Sequence, residues 1–280
     1  VIDMKQVRPK KNLGQHFLTD LSIAKRIADT VDTPYSDLPV LEVGPGMGVM
    51  TQYLVEKPRP FKVVEIDRES VAYLNEHFPQ LRENILGEDF LRMDLQKVFD
   101  GQQFVLTGNY PYDISSQIFF KMLDNKDLIP CCTGMIQREV ALRIASEPGT
   151  KAYGILSVLI QAWYDVEYLF TVEPDVFNPP PKVQSAVIRM TRNKVEHLDC
   201  DENLFKRVVK TVFNQRRKML RVSLRQLVHC KEERDTQDFF SDPIMTKRPE
   251  QLTIQQFVEL TNMVEKVLCV RTQNFDIGQE

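Results

Sequence analysis

The segment VLEVGPGMG, from Val40 to Gly48, constrains the fold of this chain more than any other. The mainly apolar VLEV predicts a short buried strand, the glycines predict a tight turn, and the following VMTQYL predicts an amphipathic helix. A strand, a glycine-rich turn and a helix in this order are typical of the opening of a nucleotide-binding α/β unit. The segment therefore predicts a mainly parallel sheet that binds a ligand at the carboxyl ends of its strands.

The spacing of the three glycines bears on the nature of that ligand. The turn is G-x-G-x-G, with Glu42 two residues before Gly44, whereas the dinucleotide fingerprint is G-x-G-x-x-G. A pyrophosphate needs the helix N-terminus, whereas S-adenosylmethionine carries no phosphate but does carry an amino acid and an adenosine. Because a glycine turn alone is weak evidence, the acidic residues that follow it carry the distinction.

Acidic residues end the next two predicted strands. The strand from Phe61 ends in Glu65 and Asp67, and a carboxylate at this place can accept hydrogen bonds from both hydroxyls of a ribose. Asp89, in the sequence GEDF, follows a third strand and is placed to receive an adenine amino group. The order of glycine turn, ribose acid and adenine acid predicts S-adenosylmethionine as the cofactor.

The sequence GNYPY follows the buried run Phe104–Leu106 and predicts the reaction. The amide oxygen of Asn109 and the backbone carbonyl of Tyr110 can each accept one N–H of an adenine amino group, and Tyr112 can stack on the ring. Pro111 restricts Tyr110 to extended conformations, which holds the two acceptors in place. A lone Asn-x-Pro-Tyr is more simply a strand-to-turn junction. With the cofactor motifs upstream it predicts methyl transfer to an adenine amino group, without a metal or a covalent enzyme nucleophile.

With these motifs the chain resembles, over almost its whole length, the adenine-N6 dimethyltransferases of ribosomal RNA, and specifically the bacterial small-subunit (16S) family associated with kasugamycin sensitivity. Three more segments carry the resemblance: KKNLGQHFL at 10–18, FNPPPKVQS at 177–185 and FNQRRKML at 213–220. His16 stands where the family often has Asn, and Tyr110 where it often has Leu. The resemblance implies dimethylation of two adjacent adenosines in the 3′-terminal hairpin of 16S rRNA, within the 30S subunit or its precursor, and a role in subunit biogenesis.

The resemblance also implies roles for individual residues. It implies that Phe177 stacks on the target base, although a core aromatic before a proline turn is the competing interpretation. The implied catalytic residues are Asn109, Tyr110, Pro111, Tyr112 and Phe177. The implied cofactor-binding residues are His16, Leu18, Gly44, Gly46, Glu65, Asp89 and Asn109.

The formal net charge of −3 and the pI near 5.9 are unusual for a protein that binds RNA, because basic surfaces supply most of the affinity. The basic residues are unevenly distributed, however: Phe205–Leu227 holds eight Lys and Arg residues and no acid. Apolar residues at 205, 208, 209, 212 and 213 predict a helix with a core-facing stripe. We interpret this segment as a phosphate-contacting helix rather than a solvated face. The predicted RNA-binding residues are Lys10, Lys11, Lys182, Arg216, Arg217, Lys218 and Arg221.

Alternating strands and helices predict the order of the fold. Strands near 40–43, 61–66, 85–88 and 103–107, and one from Gly134, have the rhythm of a mainly parallel sheet. Tyr164–Phe170 and Ser185–Thr191 predict paired strands that close it with an antiparallel edge. The predicted class is α/β: a Rossmann-like S-adenosylmethionine-dependent methyltransferase domain (1–195) with a mixed, mainly parallel sheet, plus a small all-helical RNA-recognition domain (196–280).

No apolar run approaches the ~20 residues of a membrane span, and no signal peptide opens the chain. The five cysteines show no metal-binding spacing. These features predict a cytoplasmic protein without a metal or a membrane partner, and we expect a monomer.

Three other functions share part of this pattern. DNA adenine methyltransferases usually have Asp-Pro-Pro-Tyr and a larger recognition domain. The 23S rRNA methyltransferases of macrolide resistance share both motifs, but LGQHFL and FNQRRK are more similar to the small-subunit family. A ribosome-assembly factor with vestigial catalysis would need only the fold and the basic segment, and the intact Asn109–Tyr112 motif argues against loss of catalysis.

Overall fold

The structure is a computed structural model that describes residues 16–228 and 233–276, with side chains described for 16–228 and 237–268. Within these ranges the chain forms two compact units. The first comprises residues up to Leu142 together with Tyr164–Asn193, and the second comprises Arg143–Trp163 together with the residues from Lys194 onward. The division into domains 1–195 and 196–280 stays a prediction, and it differs from the two units in its assignment of residues 143–163 and 194–195.

Strands and helices alternate along the first part of the chain, as the sequence predicts. The strands in the described residues are β1 (Phe17–Leu18), β2 (Val40–Val43), β3 (Phe61–Val64), β4 (Ile85–Leu86), β5 (Val105–Asn109), β6 (Cys131–Gln137), β7 (Tyr164–Val172), β8 (Phe177–Asn178) and β9 (Ser185–Arg192). The helices are α1 (Leu21–Ala28), α2 (Thr51–Leu54), α3 (Arg68–His77), α4 (Ser115–Asp124), α5 (Arg138–Ile144), α6 (Ile155–Gln161), α7 (Glu202–Asn214), α8 (Leu220–Ser223), α9 (Glu233–Ser241) and α10 (Ile254–Asp276).

Seven of the described strands form one sheet in the order β4-β3-β2-β5-β6-β9-β7. The neighbours from β4 to β6 are parallel, whereas β9 runs antiparallel to both β6 and β7. The predicted mixed, mainly parallel sheet with an antiparallel edge is therefore confirmed. Parallel sheets of this kind are covered on both faces, and all four residues of β2 are buried.

Helix α1 shows how the local sequence positions an element against this sheet. The carboxylate of Asp20 accepts hydrogen bonds from the backbone N–H groups of Ser22 and Ile23, at 2.9 and 3.2 Å, so Asp20 is the N-cap. Ala24 and Ile27 are buried and belong to the core cluster that also contains Val40 and Val105. The helix therefore begins at a side-chain cap and packs through one apolar stripe.

A two-stranded ribbon that the sequence does not predict lies beside the main sheet. Strand β1 pairs antiparallel with β8, with Phe17 opposite Asn178 and Leu18 opposite Phe177. Each strand has only two residues, so it is too short for a periodic pattern in the sequence to reveal it. The ribbon joins the N-terminal segment of the family resemblance to its proline-rich segment.

The second unit is helical in its described residues, and aromatic rings fill its core. Trp163 meets Phe205 edge-on, with ring centroids 6.0 Å apart, and Tyr153 meets Phe213 at 6.1 Å. The hydroxyl of Tyr153 donates to the backbone carbonyl of Leu252 at 2.9 Å, so this buried phenol is paired. The apolar stripe predicted at positions 205, 208, 209, 212 and 213 is confirmed, because all five side chains are buried on α7.

The basic segment 205–227 is not one helix, and this part of the prediction is wrong. Helix α7 ends at Asn214, and the next helix, α8, begins at Leu220. The C-cap of α7, Gln215, has φ −117° and ψ 44°, and Met219 is extended, so the backbone between them leaves the helical region. We call residues Arg216–Lys218 the basic turn. A run of charge shows where cations cluster but does not show where the backbone bends.

Candidate active site

The glycine turn after β2 is folded around the carboxylate of Glu65, at the end of β3. Its Oε2 accepts the backbone N–H of Gly46 at 3.1 Å, and its Oε1 accepts that of Asp67 at 2.9 Å. Gly46 has φ +56°, and a Cβ there would lie 3.1 Å from the ring of Phe17, so no other residue fits without strain. Each carboxylate oxygen keeps a second lone pair, which suits two further donors such as ribose hydroxyls.

Burial changes the chemistry of this carboxylate. Glu65 is almost fully buried, and that burial raises the pKa of its carboxyl group, while backbone N–H donors of Asp67, Gly46 and Ile66 oppose the shift. Asp67, the alternative ribose ligand, is instead the N-cap of α3, since its Oδ2 accepts from the backbone N–H and the hydroxyl of Ser70. Of the two strand-end acids, Glu65 is the one that lines the cavity.

A cavity of about 270 Å³ lies at the carboxyl ends of β2, β3 and β5. None of the described residues lining it is Lys or Arg, so a pyrophosphate would meet no cation there. S-adenosylmethionine, by contrast, has a positive sulfonium and a positive ammonium against one carboxylate, and ionised carboxyl groups attract this net positive charge. The wall therefore fits this cofactor by charge; its carboxyl groups are Glu42, Glu65, Glu88, Asp89 and Asp113.

Asp89 and Ile66 complete an adenosine-sized surface on the wall. Asp89 lies there with its Oδ1 held by the backbone N–H of Leu91 at 2.9 Å. Ile66, directly after Glu65, lines the cavity although 57% of it is exposed. An exposed isoleucine at a cavity mouth is unusual and offers an apolar face to a planar ring. Sequence reasoning missed Ile66, although its place directly after the ribose acid could have indicated it.

Asn109 ends β5 at the same edge of the sheet. Its amide nitrogen donates to the backbone carbonyl of His16 at 3.2 Å. This contact orients the amide group, and the oxygen Oδ1 is then the end of the side chain that can accept from a substrate. The structure therefore brings Asn109 to the cavity wall in the orientation that the predicted role requires.

Tyr110 has its side chain and its backbone in different environments. The ring is fully buried beneath two glycines, and its hydroxyl donates to the backbone carbonyl of Thr133 at 3.0 Å. A Cβ at Gly134 would lie 2.7 Å from this ring, and Gly134 has φ +146°. Because the ring points into the core, the main chain is the part of Tyr110 that serves the cavity, as the predicted role of its carbonyl requires.

Tyr112 and His16 lie together on the cavity wall. Their rings are stacked with centroids 5.4 Å apart, and the hydroxyl of Tyr112 is hydrogen-bonded to that of Ser185. His16 Nδ1 lies 2.9 Å from the carbonyl oxygen of Pro179. Since a carbonyl can only accept, Nδ1 carries the proton and Nε2 is the acceptor of the neutral ring. Both aromatic rings are thereby held by partners outside the motif.

Phe177 does not lie on the cavity wall, in contrast to the predicted stacking role. Its ring is only 4% exposed and belongs to the hydrophobic core cluster of the first unit, together with Leu18, its partner across the ribbon. A stacking partner needs an open face, and this ring has none in the structure. The competing interpretation, a core aromatic before a proline turn, describes it here. Leu18 contributes to both the core and the cavity wall.

The predicted RNA-binding residues fall into three groups. Lys10 and Lys11 lie outside the described residues. Lys182 is exposed in the proline-rich loop between β8 and β9. In the second unit Arg217, Lys218 and Arg221 are exposed, whereas Arg216 is half-buried and donates to the backbone carbonyl of Thr150 at 3.3 Å.

No group of three or more His, Cys, Asp and Glu side chains in the described residues could hold a metal ion. Likewise, no helix among these residues is long and apolar enough to cross a membrane.

Comparison with known proteins places this site in a family. The family model described as "Ribosomal RNA adenine dimethylase" matches residues 6–266. The "Ribosomal RNA small subunit methyltransferase A" of Bacteroides fragilis is 67% identical over 269 residues, which cover 95% of this chain and 96% of that protein.

Two solved structures have a similar fold. A dimethyladenosine transferase from Plasmodium falciparum superposes with a TM-score of 0.70 at 21% identity, covering 90% of this chain and 98% of that one. The 23S rRNA methyltransferase ErmE superposes with a TM-score of 0.61 at 26% identity, covering 89% and 99%. The predicted fold class is confirmed by this likeness together with the sheet order. By the extent of the family match and the identity to its relatives, the chain belongs to the ribosomal RNA adenine dimethylase family, whose members are methyltransferases that use S-adenosylmethionine.

Proposed function

We propose that this chain transfers methyl groups to the N6 amino groups of two adjacent adenosines in the 3′-terminal hairpin of 16S rRNA, within the small ribosomal subunit or its precursor. The observation that carries the proposal is Asn109, anchored through its amide nitrogen to His16 at the edge of a cavity walled by carboxyl groups. An acceptor held beside a site for a cationic cofactor suits transfer to an amino group.

The residues of the Asn109–Tyr112 motif divide the work of the reaction. When bound, S-adenosylmethionine supplies an electrophilic methyl group on its sulfonium. The lone pair of the adenine amino group is delocalised into the ring, and this makes it a weak nucleophile. The amide oxygen of Asn109 and the carbonyl of Tyr110 accept the two N–H groups of the unmodified amino group, draw the nitrogen toward tetrahedral geometry and aim the lone pair. The alkylated amino cation then sheds one proton, which leaves a single N–H for these acceptors in the second transfer. Catalysis is then mainly orientation and preorganised electrostatics.

The target base must leave its stack to reach the cavity, and Tyr112 offsets part of that cost. His16 covers one face of the Tyr112 ring, so the base stacks on the other face. The hydrogen bond to Ser185 holds the ring in the plane that this stacking needs. The exposed cations Lys182, Arg217, Lys218 and Arg221 contact rRNA phosphates.

Two observations favour the small subunit over the large one. The relative at 67% identity carries "small subunit" in its name, whereas the 23S rRNA methyltransferase is 26% identical. The intact Asn-Tyr-Pro-Tyr motif with its anchored amide favours an active enzyme over an assembly factor with vestigial catalysis, although binding to an immature subunit is compatible with both roles. We also propose a monomer in the cytoplasm, where bacterial ribosomal subunits assemble.

Tritiated methyl transfer to purified subunits tests the proposal. Small and large subunits from a strain that lacks these methyl groups are incubated with the full chain and labelled S-adenosylmethionine. We expect label only in the small subunit, recovered as dimethyladenosine after nuclease digestion. Label in the large subunit would favour the 23S activity. Tight binding to the small subunit without any label would favour the assembly factor.

A further inference from the structure

A buried acid on the cavity wall has no place in the mechanism so far. Glu42, on β2, is 1% exposed and lines the cavity two residues before the glycine turn. Its Oε2 accepts a hydrogen bond from the hydroxyl of Thr51, on α2, at 2.7 Å. This buried carboxyl group therefore meets a neutral hydroxyl donor rather than a cation at that oxygen.

A second polar group lies beside it on the next strand. The register of β2 and β5 pairs Glu42 with Thr107, and paired residues of neighbouring strands face the same side of a sheet. Thr107 is fully buried, and its hydroxyl has no hydrogen-bond partner among the described residues. Buried polar groups are normally paired, so this hydroxyl, on the strand beside that of a buried acid, calls for an explanation. We call Glu42, Thr51 and Thr107 the polar floor, and of these three residues Glu42 is the one that lines the cavity.

The polar floor contains a carboxyl group, that of Glu42, in a buried place where its ionised form is unfavourable. Burial raises the pKa of Glu42 to about 8, the hydrogen bond from Thr51 opposes this rise, and the nearby charge of Glu65 adds to it. Thr51 and Thr107 do not titrate. The other His, Asp and Glu side chains on the wall are His16, Glu65, Glu88, Asp89 and Asp113. Of these, Glu65 is the one whose charge raises the pKa of Glu42.

We infer that Glu42 distinguishes the methyl donor from its product by charge. This buried carboxyl group lines the cavity with a hydroxyl donor rather than a cation at its Oε2, so a cation that enters the cavity favours its ionised form. The inference rests on the proposed function for the identity of the ligand. S-adenosylmethionine and S-adenosylhomocysteine share the amino acid and the adenosine, but only the methyl donor has the positive sulfonium. Binding of the donor expels the carboxyl proton of Glu42 to solvent and leaves a carboxylate that attracts the sulfonium. Loss of the methyl group removes that cation and weakens the hold on the product.

The direction of the pH dependence follows from this exchange. A ligand that lowers the pKa of Glu42 releases a proton between the pKa of the bound state and that of the ligand-free state. Affinity for the donor therefore rises with pH through this window and levels off above about pH 8. The product lowers the pKa less, so the ratio of donor affinity to product affinity rises over the same window.

Calorimetry on the full chain tests the inference without any variant. Binding of both ligands is measured from about pH 6 to about pH 8, in two buffers with different ionisation enthalpies, to count the protons released. We expect more proton release with the donor than with the product. The ratio of donor to product affinity should rise by about threefold to tenfold across the range. Equal proton release and a flat ratio would overturn the inference while leaving the proposed function intact. Failure of either ligand to bind would overturn both.

Matched variants then locate the titrating group. Glu42→Gln keeps the shape and an acceptor for Thr51, and we expect it to abolish the extra proton release and flatten the affinity ratio. Glu88→Gln removes a carboxyl group from the same wall, but Glu88 is exposed, so the extra proton release should persist. Persistence of the effect in Glu42→Gln, or its loss in Glu88→Gln alone, would contradict the inference.

Discussion

The amide group of Asn109 has two ends, and the structure provides a partner for one of them. The nitrogen end is bonded to the carbonyl of His16, which leaves the oxygen end for the substrate. An interaction that strengthens as the acceptor nitrogen becomes tetrahedral belongs to the transition state rather than to binding.

We therefore expect Asn109→Ala to lower the rate of methyl transfer by about 10²–10³, with much smaller changes in affinity for the cofactor or the subunit. Acceptor character alone predicts a milder effect for Asn109→Asp. A carboxylate would face the carbonyl of His16 without a proton to donate, however, so we expect a comparable loss. Single-turnover kinetics on small subunits measure both. A near wild-type rate for Asn109→Ala at saturation would show that the amide is a binding contact only.

Glu65 has a structural role, and the proposed function gives it a ligand-binding role as well. It holds the backbone of Gly46 and has lone pairs left for ribose hydroxyls. We expect Glu65→Ala to weaken binding of S-adenosylmethionine by about 2–4 kcal/mol, the loss of two charge-assisted hydrogen bonds. Asp67→Ala is the control: it removes a helix cap, which costs about 1 kcal/mol of stability, but should leave cofactor affinity nearly unchanged. If calorimetry showed a loss of cofactor affinity in Asp67→Ala and none in Glu65→Ala, Asp67 would be the ribose ligand instead.

At the scale of the elements, the ribbon of β1 and β8 brings together parts of the site that lie far apart in the sequence. It joins Leu18 to Phe177 and lies beside His16, whose ring is bonded to Pro179 and whose carbonyl receives Asn109. Two residues in each strand suffice because both Leu18 and Phe177 are buried in the core. The ribbon thus links the start of the described chain to the side-chain amide of Asn109.

The basic turn and the start of α8 are the elements predicted to contact rRNA phosphates. We expect the triple variant Arg217→Ala, Lys218→Ala, Arg221→Ala to bind small subunits more weakly. The slope of its log affinity against log salt concentration should be shallower by about one unit for each phosphate that is no longer neutralised. Arg216 is left intact because it holds the carbonyl of Thr150.

A charge-matched control separates local contacts from net charge. The variant Lys25→Ala, Arg82→Ala, Lys97→Ala removes the same charge from scattered exposed positions of the first unit, and we expect its salt dependence to stay close to that of the wild type. Equal slopes for the two triple variants would indicate that the basic turn is a solvated surface without phosphate contacts. Cofactor affinity should not change in either variant.

At the scale of the whole molecule, the buried acid of the polar floor links stability to pH. The folded-state pKa of Glu42 is about 8, against 4.5 for an exposed glutamate, so the folded state binds the proton more tightly. Stability is then lost as the pH rises from the lower value to the higher one, and levels off above it. We expect Glu42→Gln to be more stable than the wild type by a few kcal/mol near pH 8 and nearly equal to it near pH 4. Urea unfolding at both pH values measures the free energy of unfolding of the variant and the wild type. The same difference between the two proteins at both pH values would contradict the prediction.

Local patterns in the sequence are sufficient to predict the fold class, and all the predicted catalytic and cofactor-binding residues except Phe177 line the cavity. The glycine turn, the strand-end acids and the Asn-Tyr-Pro-Tyr motif depend on local spacing, and the parallel sheet brings the ends of neighbouring strands to one edge. The alternation of strands and helices, the antiparallel edge formed by β7 and β9, and the buried stripe of α7 were all predicted, because hydrophobic periodicity records which face of each element is buried.

The remaining features depend on contacts between residues far apart in the chain, so they are fixed only when the chain folds. Folding places Phe177 in the core rather than on the target base, and it breaks the basic segment into two helices and a turn. It also bonds Asn109 to a backbone carbonyl that no local pattern indicates. The burial that makes Glu42 a neutral acid arises in the same way, from β5 and α2 packed against its strand, since a carboxylate in an isolated strand would remain in water and ionised.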